Sequence, residues 1–233
     1  MKKQENVFLR EEKEKIKSLD GSAKVRYIWD YYKLWIIGIA FAVFFVIYMG
    51  RLILTGVSDH WFYLMIVNTN KDVGNHSELW QEYADYTGYD QNEKTIEFNA
   101  ASYFDYLDGS HARNNKYYET FVAYTEAGTL DAVVMDAEAL KELGSSGRLL
   151  DLNSEACSSI AEKYGDRFIY CEPYDESYGE DLVAVGIDLS DSSLMTEYGI
   201  YTEGSSCALA IGAYSENLEA VELFLDMVTG EEE

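Results

Sequence analysis

Residues 34–50, LWIIGIAFAVFFVIYMG, carry no charged side chain and divide the 233-residue chain into two parts of different composition. Continued through residue 54, the apolar run would be about 31 Å long as an α-helix, enough to cross a hydrocarbon layer of about 30 Å. Arg51 lies one turn from the end, where its long side chain reaches the interface. Because a backbone in lipid must satisfy its own hydrogen bonds, the sequence predicts one transmembrane helix over residues 34–54.

Two other interpretations of this run are less consistent with the sequence. A cleavable signal peptide has an apolar core of about 7–15 residues close to the N-terminus, followed by small residues at the cleavage site. Here the run begins at residue 34, and Met49, Gly50 and Arg51 at its exit form no such site. A core helix of a soluble protein would show a polar stripe, which this run lacks. The pattern favours an uncleaved membrane anchor.

The charged residues are distributed unevenly on the two sides of the run. The chain has 18 Lys and Arg against 42 Asp and Glu, a formal net charge of −24. Residues 1–33 hold 9 basic and 6 acidic side chains, whereas residues 55–233 hold 8 basic and 36 acidic ones. Nucleic-acid binding requires a cationic surface that displaces counterions, so the composition argues against a nucleic-acid partner.

Basic residues near the span indicate its orientation. Lys24, Arg26 and Lys33 precede the span closely, whereas the first basic residue after Arg51 is Lys71. The sequence therefore predicts a single-pass protein of the cell membrane, with the lipid bilayer as a partner. Residues 1–33 form its cytoplasmic tail, and residues 58–233 form an extracellular domain.

Aromatic side chains crowd the cytoplasmic end of the span, where rings with one polar atom prefer the headgroup layer. They are Tyr27, Trp29, Tyr31, Tyr32 and Trp35. Two interpretations stay open at this point: the helix begins on the membrane surface before it turns in, or these residues extend the spanning helix.

Beyond the span, apolar runs of strand length alternate with segments of helical periodicity, which is typical of an α/β domain. Strands are predicted at residues 61–67, 95–98, 130–135, 149–152, 167–171, 182–187 and 207–213. Helices are predicted at residues 77–86, 115–127, 136–143, 155–164 and 216–228. Asn75 is expected to cap the first of these helices, and Asp136 the third.

The sequence contains no motif that points to catalysis, a metal or a cofactor. There is no His-Glu-x-x-His helix, no Gly-x-Ser-x-Gly turn and no phosphate-binding glycine loop. His60, His76 and His111 have no ligand at metal spacing. Acidic clusters at residues 175–181 and 188–191 lack the spacing of a calcium loop, so solvated loops are favoured. We therefore predict no enzyme, no metal ligand and no cofactor.

Cys157, Cys171 and Cys207 are an odd number of cysteines in a compartment that permits disulfides. One bridge, from Cys171 to either of the others, is an open alternative. All three lie in apolar patterns, which favours buried free thiols.

Polar residues follow two predicted strands at the end where ligands bind in open α/β sheets. Tyrosines in the predicted loops add stacking surface with a hydroxyl group. The candidate ligand-binding residues are Asn68, Thr69, Asn70, Tyr103, Asp136, Tyr174 and Tyr178.

Residues 124–152, YTEAGTLDAVVMDAEALKELGSSGRLLDL, resemble the extracellular solute-binding proteins of bacterial uptake systems. The resemblance rests on an Asp-led apolar strand, a short helix, and a Gly-x-Leu-x-Asp-Leu turn at residues 147–152. Residues 208–228 are similar to a late strand and helix of the same family. This resemblance implies a two-lobed, type 2 periplasmic-binding-protein-like fold, with a cleft between Asn68, Asp136 and the loop at residues 174–178. Residues 55–233 are short for such a protein, so the second lobe is expected to be reduced.

Three functional hypotheses follow. The first is a membrane-tethered module that captures a small polar ligand, a sugar or a peptide, by closing two lobes over it. The second is a structural or regulatory subunit that keeps the fold without a ligand and contacts a permease or another envelope protein. The third is a hydrolase, for which the sequence offers no motif.

Overall fold

A computed structural model describes residues 17, 19–55, 60–90, 94–106, 115–173 and 181–230. The chain divides into two compact units, Met1–Ser58 and Asp59–Glu233. Each unit is described by itself below.

The described part of the N-terminal unit contains a long helix, α1, which runs from Gly21 to Thr55. Its 35 residues correspond to about 52 Å. Within it, Tyr32–Gly50 are long and apolar enough to span a membrane by length and composition, and no part of that stretch is buried by protein. The aromatic residues before the apolar run belong to the same continuous helix.

The second unit is a mixed α/β domain, and the periodicity predicts most of its elements. Its strands are β1 (His60–Val67), β2 (Thr95–Ser102), β3 (Ala132–Met135), β4 (Phe168–Cys171), β5 (Val183–Asp188) and β6 (Ala208–Ile211). Its α-helices are α2 (Glu78–Thr87), α3 (Lys116–Glu126), α4 (Ala137–Gly144), α5 (Ser158–Tyr164), α6 (Ser193–Thr196) and α7 (Leu218–Thr229). Short 3₁₀ turns, Glu155–Cys157 and Gly165–Arg167, flank α5.

The six strands form one sheet in the order β2-β1-β3-β6-β5-β4. Strand β1 pairs in parallel with both β2 and β3. Strand β6 is antiparallel to β3 and β5, and β4 is antiparallel to β5. Strands β1, β2, β3 and β5 therefore point the same way, and their carboxyl ends share one edge of the sheet.

Helices cover both faces of the sheet. Because alternate side chains of a strand point to opposite faces, one strand contributes to the core on each side. In β1, Phe62, Leu64 and Ile66 join the core beneath α2, α5 and α7. The intervening Tyr63, Met65 and Val67 join a second core beneath α3 and α4. This double burial explains why the strand is apolar throughout.

Strands β1 and β3 meet at the point where the chain changes direction across the sheet. Helix α2 follows β1 and packs on the Phe62 face, whereas α4 follows β3 and packs on the Tyr63 face. The connections after the two strands thus leave toward opposite faces. Such a topological switch point opens a crevice beyond the carboxyl ends of the strands.

Local capping agrees with the sequence at one helix and differs at another. Asp136 accepts hydrogen bonds from the N–H groups of Glu138 and Ala139, which confirms the predicted cap of α4. Helix α2 is capped by Ser77, so the prediction for Asn75 is wrong. Asn75 instead donates its N–H to the Phe98 carbonyl and accepts the Phe98 N–H at Oδ1. It was too far from the helix start to cap it, and it covers the outer edge of β2.

The structure also differs from the sequence predictions at residues 149–152 and bears on the three cysteines. Residues 149–152 do not form a strand; the ladder there is a single bridge between Leu149 and Gly212. Cys157, Cys171 and Cys207 are all buried free thiols, so neither disulfide alternative is formed. Across the described parts of residues 60–230 the strands form one sheet, and a second lobe stays a prediction.

Candidate functional site

A large cleft in the α/β domain lies at the carboxyl edge of the sheet, and we call it the carboxyl-edge cleft. It has a volume of about 1020 Å³. Its walls come from Asn68, Asn70 and Lys71 after β1, Asp136 after β3, Ser190 after β5, and the segment between α6 and β6. The cleft therefore collects residues that are far apart in sequence, at the switch point between β1 and β3.

Asn68 stands at the mouth of the crevice in an unusual backbone conformation. Its φ is 60°, in the left-handed region that asparagine tolerates better than most residues. Its N–H donates to the Ser102 carbonyl at 2.9 Å, and its Nδ2 donates to the Phe104 carbonyl at 2.7 Å. These bonds hold the loop after β1 in an abrupt turn, which brings Asn70 and Lys71 to the cleft.

Thr69 and Tyr103, two of the predicted site residues, support the cleft from behind and are not among its lining residues. Thr69 is buried, and its hydroxyl donates to the Ile200 carbonyl at 2.7 Å. The Tyr103 hydroxyl donates to the Thr69 carbonyl at 2.7 Å. Both side chains position the loop after β1 against its neighbours.

Asp136 lines the cleft with both carboxylate oxygens already engaged. Oδ1 accepts the N–H groups at the start of α4, and Oδ2 accepts the Ser206 hydroxyl at 2.6 Å. Ser206 Oγ in turn accepts the Ala137 N–H at 3.1 Å. The helix N-terminus favours the negative charge at this position. Asp136 thus joins α4 to the segment that precedes β6.

Tyr201 is one of the lining residues that sequence reasoning missed, as are Lys71, Ser190 and Glu203. Its hydroxyl donates to the Val67 carbonyl at 2.6 Å and lies 3.2 Å from the Val134 carbonyl. These carbonyls stand at the carboxyl ends of β1 and β3, so the ring reaches into the crevice at the switch point. Burial, with smaller contributions from Cys207 and Asp136, raises the pKa of Tyr201, which keeps the hydroxyl protonated as a donor. The sequence signal near it is the Gly and Ser cluster at residues 204–206, which is typical of a turn.

The lining groups suit hydrogen bonding to a polar molecule. Asn68 and Asn70 present amides, Ser190 presents a hydroxyl, Lys71 an ammonium and Glu203 a carboxylate. None of the described lining residues is a histidine or cysteine. Among the residues that the structure describes, no three His, Cys, Asp or Glu side chains lie close enough to hold a metal ion. Tyr174 and Tyr178 lie outside the described residues.

Comparison of the chain with protein-family models, with curated proteins and with solved structures finds no match.

Proposed function

We propose that this protein is a membrane-tethered module that binds a small polar ligand, a sugar or a peptide, in the carboxyl-edge cleft. The observation that carries the proposal is the position of the cleft at the switch point, where loops after three parallel strands supply its walls. Open α/β sheets bind their ligands at this place. A volume of about 1020 Å³ also falls at the upper end of small-molecule sites.

The lining residues favour binding over catalysis. The walls supply amide, hydroxyl, ammonium and carboxylate groups, which fix the orientation of a polar ligand. The described walls offer no imidazole or thiol to act as general base or nucleophile. We therefore propose a non-catalytic role, in line with the resemblance of residues 124–152 and 208–228 to extracellular solute-binding proteins.

The tether and its orientation are part of this proposal. The stretch Tyr32–Gly50 of α1 supplies a helix of spanning length. The basic residues that precede it favour a cytoplasmic N-terminus and an extracellular α/β domain. In a two-lobed solute-binding arrangement with a reduced second lobe, the sheet described above would be the main lobe. Protease added to intact cells should then degrade the α/β domain while leaving a cytosolic marker protein whole.

Ligand binding is tested by thermal unfolding of the full-length protein in detergent against pools of sugars, peptides and amino acids. A ligand that binds the folded state alone raises the melting temperature, by an amount that grows with its concentration. Asn70→Ala and Lys71→Ala should abolish the shift. Asn153→Ala, an exposed asparagine outside the cleft lining, is the matched control and should retain it. If no pool shifts the wild-type protein, ligand capture is refuted.

A second candidate function is favoured by the polar contacts of Asp136 and Tyr201. Both Asp136 oxygens and the Tyr201 hydroxyl are engaged within the chain. A structural or regulatory subunit that keeps the fold without a ligand would show the same pattern. It would contact a permease or another envelope protein. This function predicts a stable partner that co-purifies in mild detergent and is lost when α1 is replaced by an unrelated spanning helix.

A further inference from the structure

We propose that residues 199–204 form a strap across the carboxyl-edge cleft, latched by the Tyr201 hydroxyl, and that small molecules reach the crevice between β1 and β3 only when this latch opens. The inference rests on the proposed function, because it assigns a means of regulated access to the same cleft. It is carried by the contacts at the two ends of the strap and at its middle.

The latch is a single hydroxyl that contacts both strands of the switch point. Tyr201 Oη donates to the Val67 carbonyl at 2.6 Å and lies 3.2 Å from the Val134 carbonyl. The ring thus extends from the strap to the ends of β1 and β3, into the space that a ligand at the switch point would enter. A ligand with a hydroxyl or amide donor competes for the same two carbonyls.

Glycines bound the strap at both ends. Gly199 has a φ of 55° and Gly204 a φ of 87°, in the region that favours glycine. A Cβ built at either position would meet no atom within 4 Å. Glycine is therefore required there by backbone conformation alone, and the open space around both residues leaves room for the backbone to rotate. These are the properties of a hinge.

Hydrogen bonds to side chains hold the strap at Ile200 and hold the chain just after the strap at Ser206. On one side the Thr69 hydroxyl donates to the Ile200 carbonyl at 2.7 Å. On the other side Ser206 is bonded to Asp136. Within the strap itself, the described contacts of residues 202 and 203 are limited to the Thr202–Ser205 turn. The Tyr201 hydroxyl is thus the main polar attachment of the middle of the strap to the sheet.

Cys207 provides a natural reporter of strap opening. It is fully buried immediately before β6, three residues after the strap, and is close enough to Tyr201 to affect its pKa. Burial raises the pKa of the Cys207 thiol to about 12, so the closed protein presents no thiolate there. Cys157 and Cys171 are buried free thiols outside the cleft lining, and they report on global unfolding.

The experiment measures alkylation of the full-length protein in detergent by N-ethylmaleimide, with the rate at each cysteine resolved by mass spectrometry. Tyr201→Phe removes the latch hydroxyl and should accelerate Cys207 labelling by about tenfold, the effect of losing one or two hydrogen bonds from the closed state. Cys157 and Cys171 should keep their wild-type rates. Tyr214→Phe, at an exposed tyrosine, is the matched control and should label like the wild type.

A second variant tests the strap independently of the hydroxyl. Gly204→Ala disfavours the closed backbone at φ 87° without a steric clash and should also accelerate Cys207 labelling selectively. An unchanged Cys207 rate in both variants overturns the proposal. Equal acceleration at all three cysteines overturns it as well, because it indicates global unfolding. Selective acceleration of Cys207 without any ligand-induced thermal shift would support the strap and refute ligand capture.

Discussion

The Tyr164 hydroxyl donates a 2.6 Å hydrogen bond to the Asp226 carboxylate and thereby joins α5 to α7. The Lys163 ammonium lies 3.2 Å from the other carboxylate oxygen, and 2.9 Å from Glu222. Tyr164 is fully buried and Asp226 nearly so, whereas Lys163 is partly exposed. The hydrogen bond is therefore expected to contribute more to stability than the ion pair does.

Asp226→Ala should lower the free energy of unfolding by about 1–3 kcal/mol, because it leaves the buried Tyr164 hydroxyl without its carboxylate. Lys163→Ala should cost less than about 1 kcal/mol, as expected for partly exposed ion pairs. Both are measured by urea unfolding of the detergent-solubilised protein. If both variants lost the same free energy of unfolding, the hydrogen bond would not contribute more than the ion pair.

The buried Asp131 should make stability depend on pH in an uncommon direction. Its carboxylate accepts hydrogen bonds from the Tyr63 N–H, Ser215 and Asn217. Burial nevertheless raises the pKa of Asp131 above its ordinary value of 3.8. The folded state then holds a proton that the unfolded state has lost. This contribution to stability is present below pH 3.8 and declines as the pH rises through the folded pKa.

Asp131→Asn removes that titration and presents an NH₂ group to hydrogen-bond donors, at a cost of about 1–3 kcal/mol. The loss relative to wild type should be largest in acid and should shrink toward neutral pH. Urea unfolding at several pH values measures it. The comparison is made in a His60→Gln background, because His60 is a titratable neighbour of Asp131. A loss that is independent of pH would refute the prediction.

Two glycines should respond in opposite ways to substitution by alanine. At Gly212 a Cβ would lie 2.2 Å from the Leu130 carbonyl oxygen, so Gly212→Ala must displace backbone and should destabilise by about 1–3 kcal/mol. At Gly165 the backbone is helical and a Cβ meets no atom within 4 Å. Gly165→Ala should stabilise by up to about 1 kcal/mol. The melting temperatures of the two variants should lie on opposite sides of the wild-type value.

Asp136 should contribute to stability through its cap and through Ser206. Asp136→Ala removes both contacts and should cost about 1–2 kcal/mol. Asp136→Asn is the matched variant, because asparagine is an equally good cap. It should retain most of the stability in thermal unfolding. If the two variants lose the same amount, capping does not explain the role of this residue.

A charge in the apolar stretch of α1 should impair membrane association. Val43→Arg places a charge near the centre of Tyr32–Gly50, which costs about 2.5–3.5 kcal/mol of insertion free energy. Val25→Arg lies outside that stretch and is the control. After lysis and ultracentrifugation, the Val43 variant should appear in the soluble fraction, while the Val25 variant should sediment with membranes. Equal sedimentation of both would argue against insertion of this stretch.

Many helices and strands of this protein can be predicted from the sequence, because the patterns that indicate them are local. The apolar run at residues 34–50 predicts a spanning helix from length and composition. The apolar runs at residues 61–67 and 182–187 predict buried strands, and Asp136 predicts the start of helix α4. Each pattern depends on residues within one or two turns of one another, so no knowledge of the tertiary structure was needed.

The strand order and the contacts of the candidate site depend on pairing between residues that are far apart in the sequence. The insertion of β6 between β3 and β5 was not predictable, because strand order depends on which edges meet when helices cover both faces. The sequence predicts Thr69 as a ligand contact, but its hydroxyl donates to the carbonyl of Ile200, 131 positions later. Tyr201 reaches Val67 across 134 positions. Neither residue lies in a pattern that periodicity can detect, since chain folding alone brings these atoms together.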